Sequence, residues 1–88
     1  MKPEITLYTK GYCPFCHRAK ALLDRKGVSY TDYDIADDAS LRDEMIQKSG
    51  RLTVPQIFID GHHIGGSDDL TALEQAGKLE GLLERVAS

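Results

Sequence analysis

The sequence predicts an α/β fold, a mixed four-stranded sheet covered by helices, and three observations carry that reading. A segment of period-two apolar spacing runs into one of helical spacing and then into a second strand-like stretch, together one βαβ unit with parallel strands. Further along, Asp60-Gly61 separates two short strand-like stretches and reads as a two-residue hairpin. Glycines and a serine then punctuate two closing helical patterns.

Each element follows from local chemistry. Residues 4–9 alternate, with Ile5 and Leu7 toward one face and Thr6 and Tyr8 toward the other. Lys10-Gly11-Tyr12 interrupts the alternation. Residues 14–26 place Ala19, Leu22 and Leu23 at helical spacing. Pro14 suits the first helical turn, where its missing N–H has no partner to lose, and Gly27 suits the C-terminal cap. Residues 28–34 read as the second strand. Residues 41–48 read as a helix that turns Leu41, Met45 and Ile46 inward, capped by Ser40 or Asp38. The hairpin strands are residues 56–60 and 62–64. A helix over residues 68–76 takes Ser67 as its N-cap, carries Asp68 and Asp69 in its first turn and stops at Gly77; a last helix covers residues 78–86. The expected core is Ile5, Leu7, Leu22, Leu23, Ile46, Ile57, Ile59, Leu70 and Leu73.

The 88 residues are 41% hydrophobic and 28% charged, the balance of a globular protein, and the length suits one domain over residues 1–88. Lys and Arg number 11 against 14 Asp and Glu, a net charge of −3 with no block of like charge. That argues against a nucleic-acid stripe or a polybasic membrane patch. The longest apolar runs, residues 21–23 and 57–59, are too short to span a bilayer. Residues 1–10 show no apolar stretch leading to a small-residue cleavage site, and two cysteines make no disulfide framework. The expected location is the reducing cytoplasm.

Cys13-Pro14-Phe15-Cys16 falls where the first strand hands over to the first helix. There Cys13 meets the unpaired N–H groups and positive dipole end of the helix, which stabilise a thiolate, with Lys10 a further contributor. Cys16, one turn inside, lacks that exposure, so the two sulfurs have different tasks. A thiol of pKa ~8.5 is only about 3% thiolate at pH 7. Lowering its pKa to ~5 raises the thiolate fraction about thirtyfold, while intrinsic nucleophilicity falls by a similar factor. The net gain is as a leaving group: such a sulfur accepts a sulfur partner and is readily released from it.

Other chemistries can use the same residues. Cys13, Cys16 and His17 also spell the C-x-x-C-H haem-attachment pattern, but the βαβ context favours redox chemistry. A zinc site drawing on His62 or His63 would have only two of its four ligands in the C-x-x-C pair. Two inert structural cysteines would make Pro14 and the strand-to-helix junction coincidental.

Two further segments complete a site for a small peptide. Thr53-Val54-Pro55 precedes the third strand, where an X-Pro bond can be cis and where Val54 can offer its N–H and C=O to an extended peptide. Gly65-Gly66-Ser67-Asp68 opens onto a helix N-terminus, a favourable seat for a carboxylate.

In this order, Cys-Pro-Phe-Cys, Thr-Val-Pro and Gly-Gly-Ser-Asp resemble the glutaredoxins, within the thioredoxin fold, over residues 4–84. The stretches Cys13-Pro-Phe-Cys-His-Arg-Ala-Lys-Ala-Leu-Leu and Thr53-Val-Pro-Gln-Ile-Phe-Ile-Asp are similar to the bacterial dithiol, glutaredoxin 3-like type. The resemblance implies a thioredoxin-like βαβ–ββα fold and a glutathione-dependent thiol–disulfide oxidoreductase of glutathionylated proteins and protein disulfides. By the same resemblance Cys13 is the nucleophile that carries glutathione and Cys16 the resolving thiol. Pro55 is the cis proline, and Val54, beside Thr53, pairs with the glutathione cysteine. Gly66, Ser67 and Asp68 hold the γ-glutamyl end, Lys10 and Arg42 take the glycyl carboxylate, and Tyr12 and Phe15 line the groove.

The resemblance implies glutathione as co-substrate, no metal, a cytoplasmic monomer, and client proteins among which ribonucleotide reductase is a candidate. Phe15 stands where tyrosine is commoner in the dithiol motif, and Ser67 where close relatives often carry a third cysteine. Pro14 disfavours a bridging iron–sulfur cluster. Two rival functions share the fold. A thioredoxin-like donor served by a reductase would not be reduced by glutathione alone, and an iron–sulfur carrier would form a coloured dimer on anaerobic reconstitution.

Overall fold

The computed structural model describes residues 4–84. Its elements are β1 (Ile5–Thr9), α1 (Pro14–Arg25), β2 (Thr31–Asp34), α2 (Ala39–Ser49), β3 (Gln56–Ile59), β4 (His62–Gly65), α3 (Ser67–Gln75) and α4 (Leu79–Glu84). The strands form one sheet in the order β2-β1-β3-β4. β1 and β2 are parallel, as a βαβ crossover requires, and β1 with β3 and β3 with β4 are antiparallel.

Turn and cap chemistry sets the boundaries. Pro14 opens α1, Lys26 closes it, and Gly27 follows at φ 71 in the left-handed region. Asp38, rather than Ser40, caps α2: its side chain accepts the N–H of Leu41 at 3.0 Å. Asp60 and Gly61 both take positive φ, 51 and 81, and join β3 to β4 as the two-residue turn demands.

Each sheet face has its own core. On one, Ile5, Leu7, Ile57 and Ile59 meet Ala19, Leu22 and Leu23 of α1, Leu70 of α3, and Leu79 and Leu83 of α4. On the other, Tyr8, Phe58 and Ile35 pack with Met45 of α2. Alternation alone puts Tyr8 on the less apolar side of β1, yet the helix α2 covers that side and leaves Tyr8 1% exposed. Its hydroxyl donates to Glu44 Oε2 at 2.5 Å, and its ring stacks on Tyr33 and meets the edge of Phe58. The second face is thus apolar in ring and polar at one tip, which suits tyrosine. Ile46 and Leu73, both expected in the core, are half-buried beside it.

Most element ends shift by one or two residues from expectation, and the second strand starts three residues late. The second strand begins at Thr31, because its parallel register pairs Thr6 with Thr31 and little of β1 remains for residues 28–30. Val28 and Tyr30 instead lay their side chains against the first core. Ser67 is the first residue of α3 and Gly66 its N-cap. The cause is Asp69, whose Oδ2 accepts the Gly66 N–H at 2.9 Å and moves the helix start back by one residue. For the last helix, α4 spans Leu79–Glu84, and the remainder of the expected 78–86 lies outside the described residues.

Candidate active site

The β1–α1 junction places the first sulfur. Cys13 is the N-cap of α1, with extended backbone (φ −90, ψ 119) and its N–H donated to Lys10 O at 3.1 Å. Phe15 and Cys16 therefore present backbone N–H groups that α1 itself leaves unpaired. No acidic residue lies in the first turn of α1. Burial alone would raise the Cys13 thiol. The hydrogen bonds from Cys16 and Phe15 and the Lys10 charge together outweigh it and hold the thiol below the ordinary cysteine range. Cys16 is fully buried, and burial first, then the hydrogen bond and charge of Cys13, push its thiol up to about 11. Cys13 and Cys16 are not bonded to each other in this structure.

His17 holds the approach loop: its Nε2–H donates to the Gly11 carbonyl at 2.7 Å. The bond keeps the Lys10-Gly11-Tyr12 turn over the start of α1.

The second side of the site is the turn before β3. The Val54–Pro55 bond is cis, and Cys13 Sγ lies 4.0 Å from Val54 O. Among the described residues Val54 makes no backbone–backbone hydrogen bond, so its N–H and much of its carbonyl remain for a ligand.

The third side is the β4–α3 junction. Gly65, at φ 121, sits so close to Asp69 that a Cβ there would fall 2.2 Å from Asp69 Oδ2, and only glycine fits. Asp69 Oδ2 also accepts Arg51 Nη1 at 3.0 Å. The Gly66 N–H foremost, and then Arg51, hold its carboxyl below the ordinary 3.8.

Between these segments runs a groove of about 300 Å³, within the range of small-ligand sites. Phe15, Thr53, Val54, Pro55, Gly66, Ser67 and Asp68 line it, as do three residues that sequence reasoning missed: Arg51, Gln56 and Asp69. Neither cysteine is among the lining residues, but Cys13 Sγ lies 4.0 Å from the carbonyl of Val54, which is. Tyr12 is 74% exposed beside Cys13 and Lys10 acts on the sulfur by charge, but neither lines the groove. Arg42 lies exposed in the first turn of α2, away from the lining, and Arg51 supplies the cation at the groove. Counting back from Thr53 finds a cation in α2, but the one that reaches the groove lies in the nearer loop. Phe15 is half-exposed, with the Arg18 guanidinium 5.4 Å from its ring centroid.

This geometry agrees with known proteins. Residues 5–64 match the glutaredoxin family model. Glutaredoxin 3 of Escherichia coli K12 is 59% identical over 81 residues, 92% of this chain and 98% of that protein. A glutaredoxin of Pseudomonas aeruginosa is 51% identical over 92% of this chain and 96% of its own. Among solved structures, a buckwheat glutaredoxin–glutathione complex matches with a TM-score of 0.86 at 31% identity, covering 94% of this chain and 78% of its own. With its four-stranded mixed sheet, its flanking helices and its split pair of thiols, the chain belongs to the glutaredoxin family, thiol–disulfide oxidoreductases of thioredoxin-like fold.

Proposed function

We propose that the protein is a glutathione-dependent oxidoreductase that reduces protein–glutathione mixed disulfides and protein disulfides. One observation carries the reading. A sulfur held below the ordinary thiol range lies 4.0 Å from the carbonyl of a backbone turn that borders a small-peptide groove. The buckwheat relative is described as a glutathione complex, which supports glutathione as the occupant.

The steps follow from the two thiols. Cys13 thiolate attacks the glutathione sulfur of a glutathionylated protein, the S–S bond breaks, and the client leaves as a thiolate that takes a proton from water. A second glutathione, as thiolate, attacks the glutathione sulfur on Cys13. Oxidised glutathione leaves and Cys13 thiolate returns, expelled readily because its basicity is low. With a protein disulfide, Cys13 forms the mixed disulfide. Cys16 then loses its proton and attacks Cys13 Sγ, the client thiolate departs, and the Cys13–Cys16 bond is reduced by two glutathiones. In this reading Val54 pairs with the glutathione backbone, and Thr53 and Pro55 shape the turn. Gly66, Ser67 and Asp68 receive the γ-glutamyl end, with Lys10, Tyr12 and Phe15 around the sulfur. Clients, ribonucleotide reductase among the candidates, would be glutathionylated or disulfide-bonded proteins.

The test is turnover of a glutathionylated peptide with glutathione as sole reductant. Cys13→Ser is expected to abolish it, by at least about a thousandfold. Cys16→Ser is expected to keep it while losing release of clients from protein disulfides. A requirement for a separate reductase would overturn the glutathione reading, as would full activity in Cys13→Ser.

A further inference from the structure

The turn that faces Cys13 is held from behind by a side-chain relay. Gln56, the first residue of β3, is 1% exposed and pairs in the sheet with Tyr8. Its side chain reaches back three residues: Nε2 donates to Thr53 O at 3.0 Å and to Thr53 Oγ1 at 3.3 Å. Its Oε1 lies 2.7 Å from Nε2 of His63, on β4. The alternative amide orientation would set Oε1 against the Thr53 carbonyl oxygen, two acceptors with no proton between them. Gln56 therefore donates to Thr53 and accepts the His63 Nε2–H. The His63 ring is steadied in turn against Phe58, with centroids 5.1 Å apart.

We propose that Gln56, oriented by His63, is a positioning residue that fixes the Thr53-Val54-Pro55 turn at its working distance from Cys13. The inference rests on the glutathione reading for its substrate. Gln56 Nε2 is already engaged with both oxygens of Thr53. Its influence passes through the turn: Thr53 is tethered, and Val54, next in the chain, places its carbonyl 4.0 Å from the sulfur. Thr53 and His63 are exposed, so water can replace the hydrogen bonds each loses. Removing the relay should loosen the turn more than it weakens the fold.

The test compares Gln56→Met, similar in shape but unable to make the three bonds, with His63→Leu and His63→Gln, the last keeping an N–H for Gln56 Oε1. With a glutathionylated peptide as substrate, Gln56→Met is expected to raise KM about tenfold and His63→Leu about threefold, and His63→Gln to restore most of the difference. The pH profile of Cys13 alkylation by iodoacetamide should be the same in all of them, because the start of α1 is untouched. A Gln56→Met protein with KM within about twofold of the parent overturns the proposal. So does an altered alkylation profile, or an equal deficit in both His63 variants. Should Gln56→Met fail to fold, the His63 pair decides. If the parent turns over a plain peptide disulfide but no glutathionylated peptide, the glutathione reading falls, and the same KM comparison on the peptide disulfide decides this one.

Discussion

The helices α1 and α3 both start at the groove, each aiming unpaired N–H groups and a positive dipole end toward it, yet their first turns are stocked oppositely. α1 has no acid there and takes a cysteine as N-cap. α3 carries Asp68 and Asp69, and Asp69 already accepts the Gly66 N–H and pairs with Arg51. At α1 the dipole has no other anion to satisfy, so it acts on the sulfur. At α3 part of the field is compensated within the protein, leaving a polar cradle. The same element becomes a nucleophile activator or a binding end according to which anion the sequence supplies.

The largest effect that sharpens this contrast lies inside α1. Cys16 is one turn from Cys13 but buried, with its thiol pushed up to about 11. Burial, the first cause, persists when Cys13 is in a mixed disulfide while the Cys13 charge does not, so the Cys16 thiolate fraction should still rise with pH across the neutral range. Stopped-flow measurement of client release from the Cys13 mixed disulfide should show this rise from pH 6 to 9, while Cys13 alkylation levels off at lower pH. Parallel profiles would break the contrast.

A smaller effect belongs to α3. Asp69→Ala removes the acceptor for the Gly66 N–H and the partner of Arg51, and should cost about 1 kcal/mol at pH 7. Because the folded carboxyl lies below its ordinary 3.8, its stabilisation is present above the unfolded value and drains away as pH falls through the folded one. Thermal unfolding of parent and variant should converge in acid; a constant difference would show that the carboxylate charge contributes nothing.

The smallest effect would make α1 resemble α3. Phe15→Asp puts a carboxylate into the first turn at a half-exposed position. It should raise the Cys13 pKa by a few tenths of a unit, read as slower alkylation near the midpoint of the parent profile. An unchanged midpoint would mean that direct hydrogen bonds, not the empty first turn, set the thiolate.

What could be read early and what could not divide along physical lines. The placement of Cys13 at the start of α1 was legible because Pro14 and a preceding period-two segment define that junction within a few residues. The Asp60-Gly61 turn was legible from its dipeptide, whereas the α2 cap was narrowed only to Ser40 or Asp38. The start of α3 was misplaced by one residue, since a side chain three positions on decides it. Arg51 was missed because it belongs to no motif, and Gln56, though inside the Thr53-Val-Pro-Gln stretch, because its partners Thr53 and His63 are set only by folding.

By itself the sequence determined the order of strands, helices and turns and the unequal settings of the two cysteines. Each depends on backbone preference, capping or apolar period over a handful of neighbouring residues. Only the tertiary structure decided that Tyr8 is buried under α2, that Arg51 rather than Arg42 reaches the groove, and that His63 of β4 steadies a turn ahead of β3. Those outcomes depend on which surfaces meet across the sheet, and burial and hydrogen-bond partners far apart in the chain exist only once the layers have packed.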